Sequence, residues 1–258
     1  MKALTLCALL FPLVTLAESP FDGTWVAKDD SAQFDPKPQK VSLVKGVWHN
    51  EFAVPAVKVK ADGTDQPVKG HPYYDTVAVK SVGNDTVEVT TKKGGKVMAT
   101  TTWVVSADGN TLTQKYNDMS GAEAATGELI YTRAGKGPAD SHAISGSWKT
   151  TKIQNQNTAS NTMTLKASAD GLSMKSANGM SYDAKFDGKE YPISGDPGGT
   201  MVSLKKKGAD TIVETDKRAG KVVEVDTMTV SADGKTMKVV AEDHERHRKA
   251  TYSMTKSP

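Results

Sequence analysis

Thirty acidic residues and five histidines are the raw material for chemistry in this 258-residue chain. His244 and His247, flanked by Glu242, Asp243 and Glu245, form the one local group with the side chains of a metal site. Residues three apart on a strand point to opposite faces, so both imidazoles reach one ion only across a turn; a solvated charged loop is the plainer reading. His49, His71 and His142 stand alone and read as surface residues. The single cysteine, Cys7, falls in a leader-like segment, which leaves the rest of the chain without a thiol nucleophile, a disulfide or a thiolate metal site. No Gly-x-Ser-x-Gly elbow and no His-Glu-x-x-His occurs, and Gly234-Lys235-Thr236 lacks the upstream glycine of a phosphate loop. No nucleophile, base and orienter can be assembled from these residues, so no enzyme, metal or cofactor is expected. Tyr73 and Tyr74 beside Pro72, with the inward-pointing Trp103, are the candidates for contact with a ligand; packing is the plainer role for the tyrosines.

The elements that would position these residues are encoded twice. At a constant offset of 125, residues 62–112 and 187–237 share 22 identities in 51 positions without a gap. The shared frame includes Asp62-Gly63 with Asp187-Gly188, Pro72 with Pro197, and Ser106-Ala107-Asp108-Gly109 with Ser231-Ala232-Asp233-Gly234. The openings match as well: Phe21-Asp22-Gly23-Thr24-Trp25 faces Ile144-Ser145-Gly146-Ser147-Trp148. Each copy is domain-sized, which favours duplication over a solenoid of short repeats. The expected domains are residues 18–134 and 144–258, joined by a small-residue linker at 135–143.

Inside each copy, β-rich runs alternate with turn signals. Residues 76–80, 86–91, 96–106, 111–116 and 127–133 read as strands separated by Gly83-Asn84, Gly94-Gly95, Asp108-Gly109 and Ser120-Gly121. Copy two repeats the scheme at 201–204, 211–216, 221–231, 236–241 and 249–254. Copy one has an apolar inner face of Val77, Val79, Val87, Val89, Val97, Ala99, Trp103 and Val105. Copy two breaks this pattern, because Glu214, Asp216, Glu224 and Asp226 replace Val89, Thr91, Ala99 and Thr101. Either a bulge turns that hairpin over so that Val213, Val223 and Val225 face inward, or carboxylates line the interior; the bulge is the cheaper solution. Copy two also has Gly198-Gly199 where copy one has Tyr73-Tyr74, so a ligand contact there would differ between the copies.

Lys2, the apolar stretch 4–16 and Thr15-Leu16-Ala17 have the layout of a secretory signal peptide, residues 1–17, with the mature chain beginning at Glu18. An exported protein, periplasmic or extracellular, is expected. The apolar stretch is too short to span a bilayer, and aromatics at 6% provide no girdle for an outer-membrane barrel. With 33 basic against 30 acidic residues there is no strong field, so no nucleic-acid partner is expected; Lys205-Lys206-Lys207 reads as a solvated turn.

A Gly-x-Trp opening, an antiparallel meander and an arginine on the last strand resemble the lipocalin and fatty-acid-binding-protein superfamily. That resemblance implies two tandem all-β, up-and-down barrels, each plugged at one end by its tryptophan with a late cation over the ring. It implies that Arg133 covers Trp25; for Trp148, Met254 stands where the second arginine belongs, and Lys256 or Arg248 would have to substitute. The chain also resembles secreted bacterial proteins carrying Asp-Gly-Lys-x-Tyr-Pro, here 187–192, a likeness that brings no activity with it. The expected function is binding of a small apolar molecule in one or both barrels; the alternative is a structural or protein-interaction module of the cell envelope without a ligand.

Overall fold

The computed structural model describes residues 19–258; the leader-like segment and Cys7 lie outside the described residues. The chain is almost wholly antiparallel β, arranged as two nearly closed barrels. The expected strands appear and run longer, as Thr76–Val82, Thr86–Lys93, Lys96–Val105, Thr111–Asp118 and Ala125–Lys136 in copy one. In copy two they are Met201–Lys206, Thr211–Arg218, Lys221–Val230, Thr236–Asp243 and Arg248–Lys256. The Ser-Ala-Asp-Gly corners are built alike: the Ser106 and Ser231 hydroxyls donate to Asp108 and Asp233, and Gly109 and Gly234 take φ of 73° and 69°, a region natural to glycine.

Shorter strands precede each meander. Gln39–Val44, Val47–Asn50, Val57–Lys60 and Asp62–Pro67 do so in copy one; Thr162–Ala167, Gly171–Ser176, Ser181–Lys185 and Tyr191–Pro192 do so in copy two. Among the described residues no helix is long and apolar enough to cross a membrane.

The sheets do not divide at the 135–143 linker. Copy two's opening strand, Gly146–Gln154, folds back on Ala125–Lys136 and also pairs with Gln39–Val44, so it completes the barrel of copy one. Copy one's opening strand, Gly23–Ala27, lies between Thr162–Ala167 and Arg248–Lys256 and completes the barrel of copy two. The first barrel is therefore continuous in sequence, residues 39–154, and is inserted into a host barrel made from the N-terminal segment and residues 158 onward. Locality explains the arrangement: a hairpin between neighbouring strands closes a short loop, whereas sending Gly146–Gln154 to the other barrel would close a long one.

Both seams are held by substitute pairings. In the inserted barrel the Gln66 side chain donates to Lys60 O (2.7 Å) and accepts from Lys60 N (2.9 Å). In the host, Ser181 and Ser194 exchange backbone hydrogen bonds of 3.0 and 2.8 Å. Closing each seam covers strand edges that would otherwise pair with other chains.

Each barrel has its own core, and each core contains the tryptophan of the other copy. Trp25 and Phe21 pack with Leu165, Leu204, Ile212 and Met237 in the host; Trp148 and Ile144 pack with Val79, Val87, Trp103 and Leu112 in the inserted barrel. The plug is the same in both: the Trp25 indole donates to Phe21 O (2.8 Å), and the Trp148 indole to Ile144 O (2.9 Å). Arg133 covers Trp148, 4.0 Å above its ring, and not Trp25 as the resemblance implied; Lys256 covers Trp25 at 5.0 Å. The covering cation lies beside the indole on a paired strand, so exchanging the opening strands exchanged the partners too.

Candidate functional site

The two interiors are filled differently. In the inserted barrel Trp103 is 3% exposed and meets Trp48 at 5.9 Å and Phe52 at 5.2 Å between ring centroids, while Tyr131 stacks on it at 6.3 Å. The Tyr131 hydroxyl donates to Gln114 (2.6 Å), which satisfies the phenol of this stack. Trp103 is thus part of a packed aromatic core.

The host barrel carries four carboxylates at the corresponding level. Strand alternation runs unbroken from buried Ile212 to Glu214 and Asp216, and from buried Met228 to Asp226 and Glu224. Glu214 is paired in register with Asp226, and Asp216 with Glu224, so all four point inward. This corrects the favoured expectation. A bulge is present, but it falls after Asp216, too late to turn the carboxylates out; it leaves Val223 buried at the cleft beside Tyr73 and Tyr74 and Val213 and Val225 in phase with the outer face.

From Ser181–Lys185, across the seam, the Tyr182 hydroxyl donates to Glu214 Oε2. The Asp216 and Asp226 side chains make no hydrogen bond among the described residues, and the Oδ1 atom of each is buried without a partner. No described cation lies within ion-pair distance of any of the four. Burial, reinforced by the Asp216 charge, pushes Glu214 well above the ordinary carboxylate range. Burial and the neighbouring Glu224 push Asp216 up to about 7 and Asp226 up to about 8. Glu224 is raised by burial and by Asp243, against the pull of Arg246 and Arg218. Near neutral pH the group therefore holds protons and exchanges them, and it can donate hydrogen bonds as well as accept them.

A pocket of about 380 Å³ opens at the mouth of this barrel. It is lined by Ala27, Met163, Ala250, Tyr252 and Met254 from the barrel wall, with Phe34, Ile153, Gln156, the segment Ala159–Thr162 and the exposed Lys28 outside them. Tyr252 belongs to both regions: it lines the pocket, and burial together with the charges of Asp226, Glu224 and Glu214 raises its phenol. The pocket lining holds no acid; Asp226 lies two strands away at the same level, in register with Ala241 and through it with Ala250.

Tyr73 and Tyr74 lie where the two barrel mouths meet. Arg218 donates to the Tyr73 hydroxyl (2.9 Å) and to Thr200 (3.2 Å), sits 5.1 Å over the Tyr73 ring and pairs with Glu245 at 3.3 Å. Gly198 fits against the Tyr73 ring, where a Cβ would come within 2.7 Å, which explains the glycine opposite Tyr73 in the repeat. Tyr74 stacks on His71 at 4.4 Å and packs against the inserted core; burial pushes its phenol up to about 12. Both tyrosines line a smaller cleft of about 210 Å³ with Arg218, Glu224 and Arg246. His244 and His247 occupy an exposed hairpin turn, and among the described residues no three His, Asp or Glu side chains are grouped to hold a metal ion. Sequence reasoning left out Tyr182, Tyr252 and Met163; the unbroken alternation from Ile212 to Asp216 was the signal for the acidic wall.

No protein-family model matches this chain, and no curated protein matches it.

Proposed function

We propose that the chain is an exported, lipocalin-like binding protein that holds a small, largely apolar molecule at the mouth of its host barrel. The observation that carries this reading is the pocket of about 380 Å³ between Phe34, Ile153, Met163, Tyr252 and Met254, a size and lining suited to a small ligand. The doubled Gly-x-Trp plug with a cation over each ring supports the lipocalin-like construction, and the leader-like first residues support export. The inserted barrel, filled by its own aromatics, serves as a rigid partner that walls the pocket through Ile153.

Native mass spectrometry of freshly purified protein, followed by thermal-shift titration with 1-octanol, tests this. Saturable stabilisation is expected, and Ala159→Trp, which fills the pocket from its outer wall, should abolish it. A response that survives Ala159→Trp would place binding elsewhere, and repeated failure to find or load any apolar compound would favour an envelope interaction module.

A further inference from the structure

We propose that the ligand of the host barrel carries a protonated amine, which sits against Glu214 and Asp226 while the apolar body fills the pocket on the other side of Tyr252. The inference rests on the pocket reading above and adds the charge of the ligand. Its first support is internal to the molecule. The same fold, built twice, places Val89, Thr91, Ala99 and Thr101 at these four positions in the inserted barrel, so the architecture has no need of acids there.

Its second support is the state of the acids. They form two directly opposed pairs, with no described cation within ion-pair distance, and Asp216 and Asp226 each have a buried oxygen without a partner. Buried polar groups are normally satisfied, and this unsatisfied set lies level with the pocket, Asp226 in register with Ala241 and Ala241 with the lining residue Ala250, where a ligand can supply the missing partner. The third support is the lining. Tyr182 and Tyr252 place a hydroxyl and aromatic rings beside the acids, surroundings that suit an alkylammonium; the absence of any described three-ligand grouping disfavours a bare metal ion.

The groups that act on this charge are few. Glu214, Asp216, Glu224 and Asp226 come from the two paired strands, Tyr252 from Arg248–Lys256 two strands along, and Tyr182 from Ser181–Lys185 across the seam. Arg218, Arg246, Asp196 and Asp243 act from the rim, and the exposed Lys28 lies at the pocket's outer edge. An ammonium bound among them draws protons off the acids, so its affinity must rise with pH over the range in which they ionise, whereas a neutral ligand gains nothing of the kind.

The test compares octylamine with 1-octanol by calorimetry at about pH 6 and about pH 8.5, in the full chain and in a Glu214→Gln, Asp226→Asn variant. Octylamine should bind at least ~10-fold tighter than octanol at the higher pH, tighten from low to high pH with proton release, and lose that advantage in the variant. The fold prefers these acids neutral, so the amide variant should fold; the wild-type pH comparison decides the matter if it does not. Equal, pH-independent binding of both probes would overturn the amine and leave the pocket standing. Binding of neither would overturn both.

Discussion

Arg133 does more than cover an indole. Its guanidinium donates to the carbonyls of Gly109, Ser145 (2.8 Å) and Ala143 (2.6 Å), so one side chain ties the Asp-Gly corner, the segment before Gly146 and the Trp148 ring together. Lys256 at the matching place over Trp25 makes a single hydrogen bond of this kind, to Pro20 O at 3.1 Å. Replacing Arg133 by Met removes the cation and leaves carbonyls without partners, for an expected loss of about 2–4 kcal/mol. Lys256→Met should cost about 1 kcal/mol. Urea unfolding of the two variants checks the order; equal losses would contradict the assigned role.

Two paired strands, Thr211–Arg218 and Lys221–Val230, set the pH response of the molecule. Asp216 at about 7 and Asp226 at about 8 lie above their unfolded values, so the folded state binds more protons between the ordinary carboxylate range and about pH 8. Stability from these groups is fully present below that window and is lost as pH rises through it. Melting temperature should therefore be higher at about pH 5 than at about pH 8.5, and Asp226→Asn should flatten the slope and stabilise the protein at the higher pH. A melting temperature that rises toward pH 8.5 would contradict this. The strands themselves were legible in sequence because alternation and glycine turns are local signals, as at Val77, Val79 and Gly83-Asn84. The direction of the acids was harder to read, because the cost of burying carboxylates argued for a bulge before Glu214. The bulge comes after Asp216, and no local sequence signal marks that place.

At the scale of the molecule, one barrel is a contiguous insertion in the other. The repeat in the sequence hid this, since Gly23-Thr24-Trp25 and Gly146-Ser147-Trp148 are near-equal plugs and nothing local says which barrel each enters. The mouths are joined by Lys93, which donates to both Pro72 O (2.6 Å) and Pro197 O (2.7 Å), and by Arg246 and Arg248, which donate to Phe52 O and Lys37 O. A fragment of residues 37–156 contains every strand of the inserted barrel and should fold alone with cooperative unfolding; residues 144–258 lack the Trp25 strand and should not. Circular dichroism of the two fragments distinguishes this from a division at the linker, which would reverse the dependence on residues 144–156.

The division of labour between a solid inserted barrel and a hollow host is tested most directly by titrating isotope-labelled protein with octylamine and following backbone amides by NMR. Shifts should concentrate in Thr162–Ala167, Thr211–Arg218, Lys221–Val230 and Arg248–Lys256, with Thr76–Val82 and Thr86–Lys93 unmoved. Shifts centred on those last two strands, or none anywhere, would contradict the account.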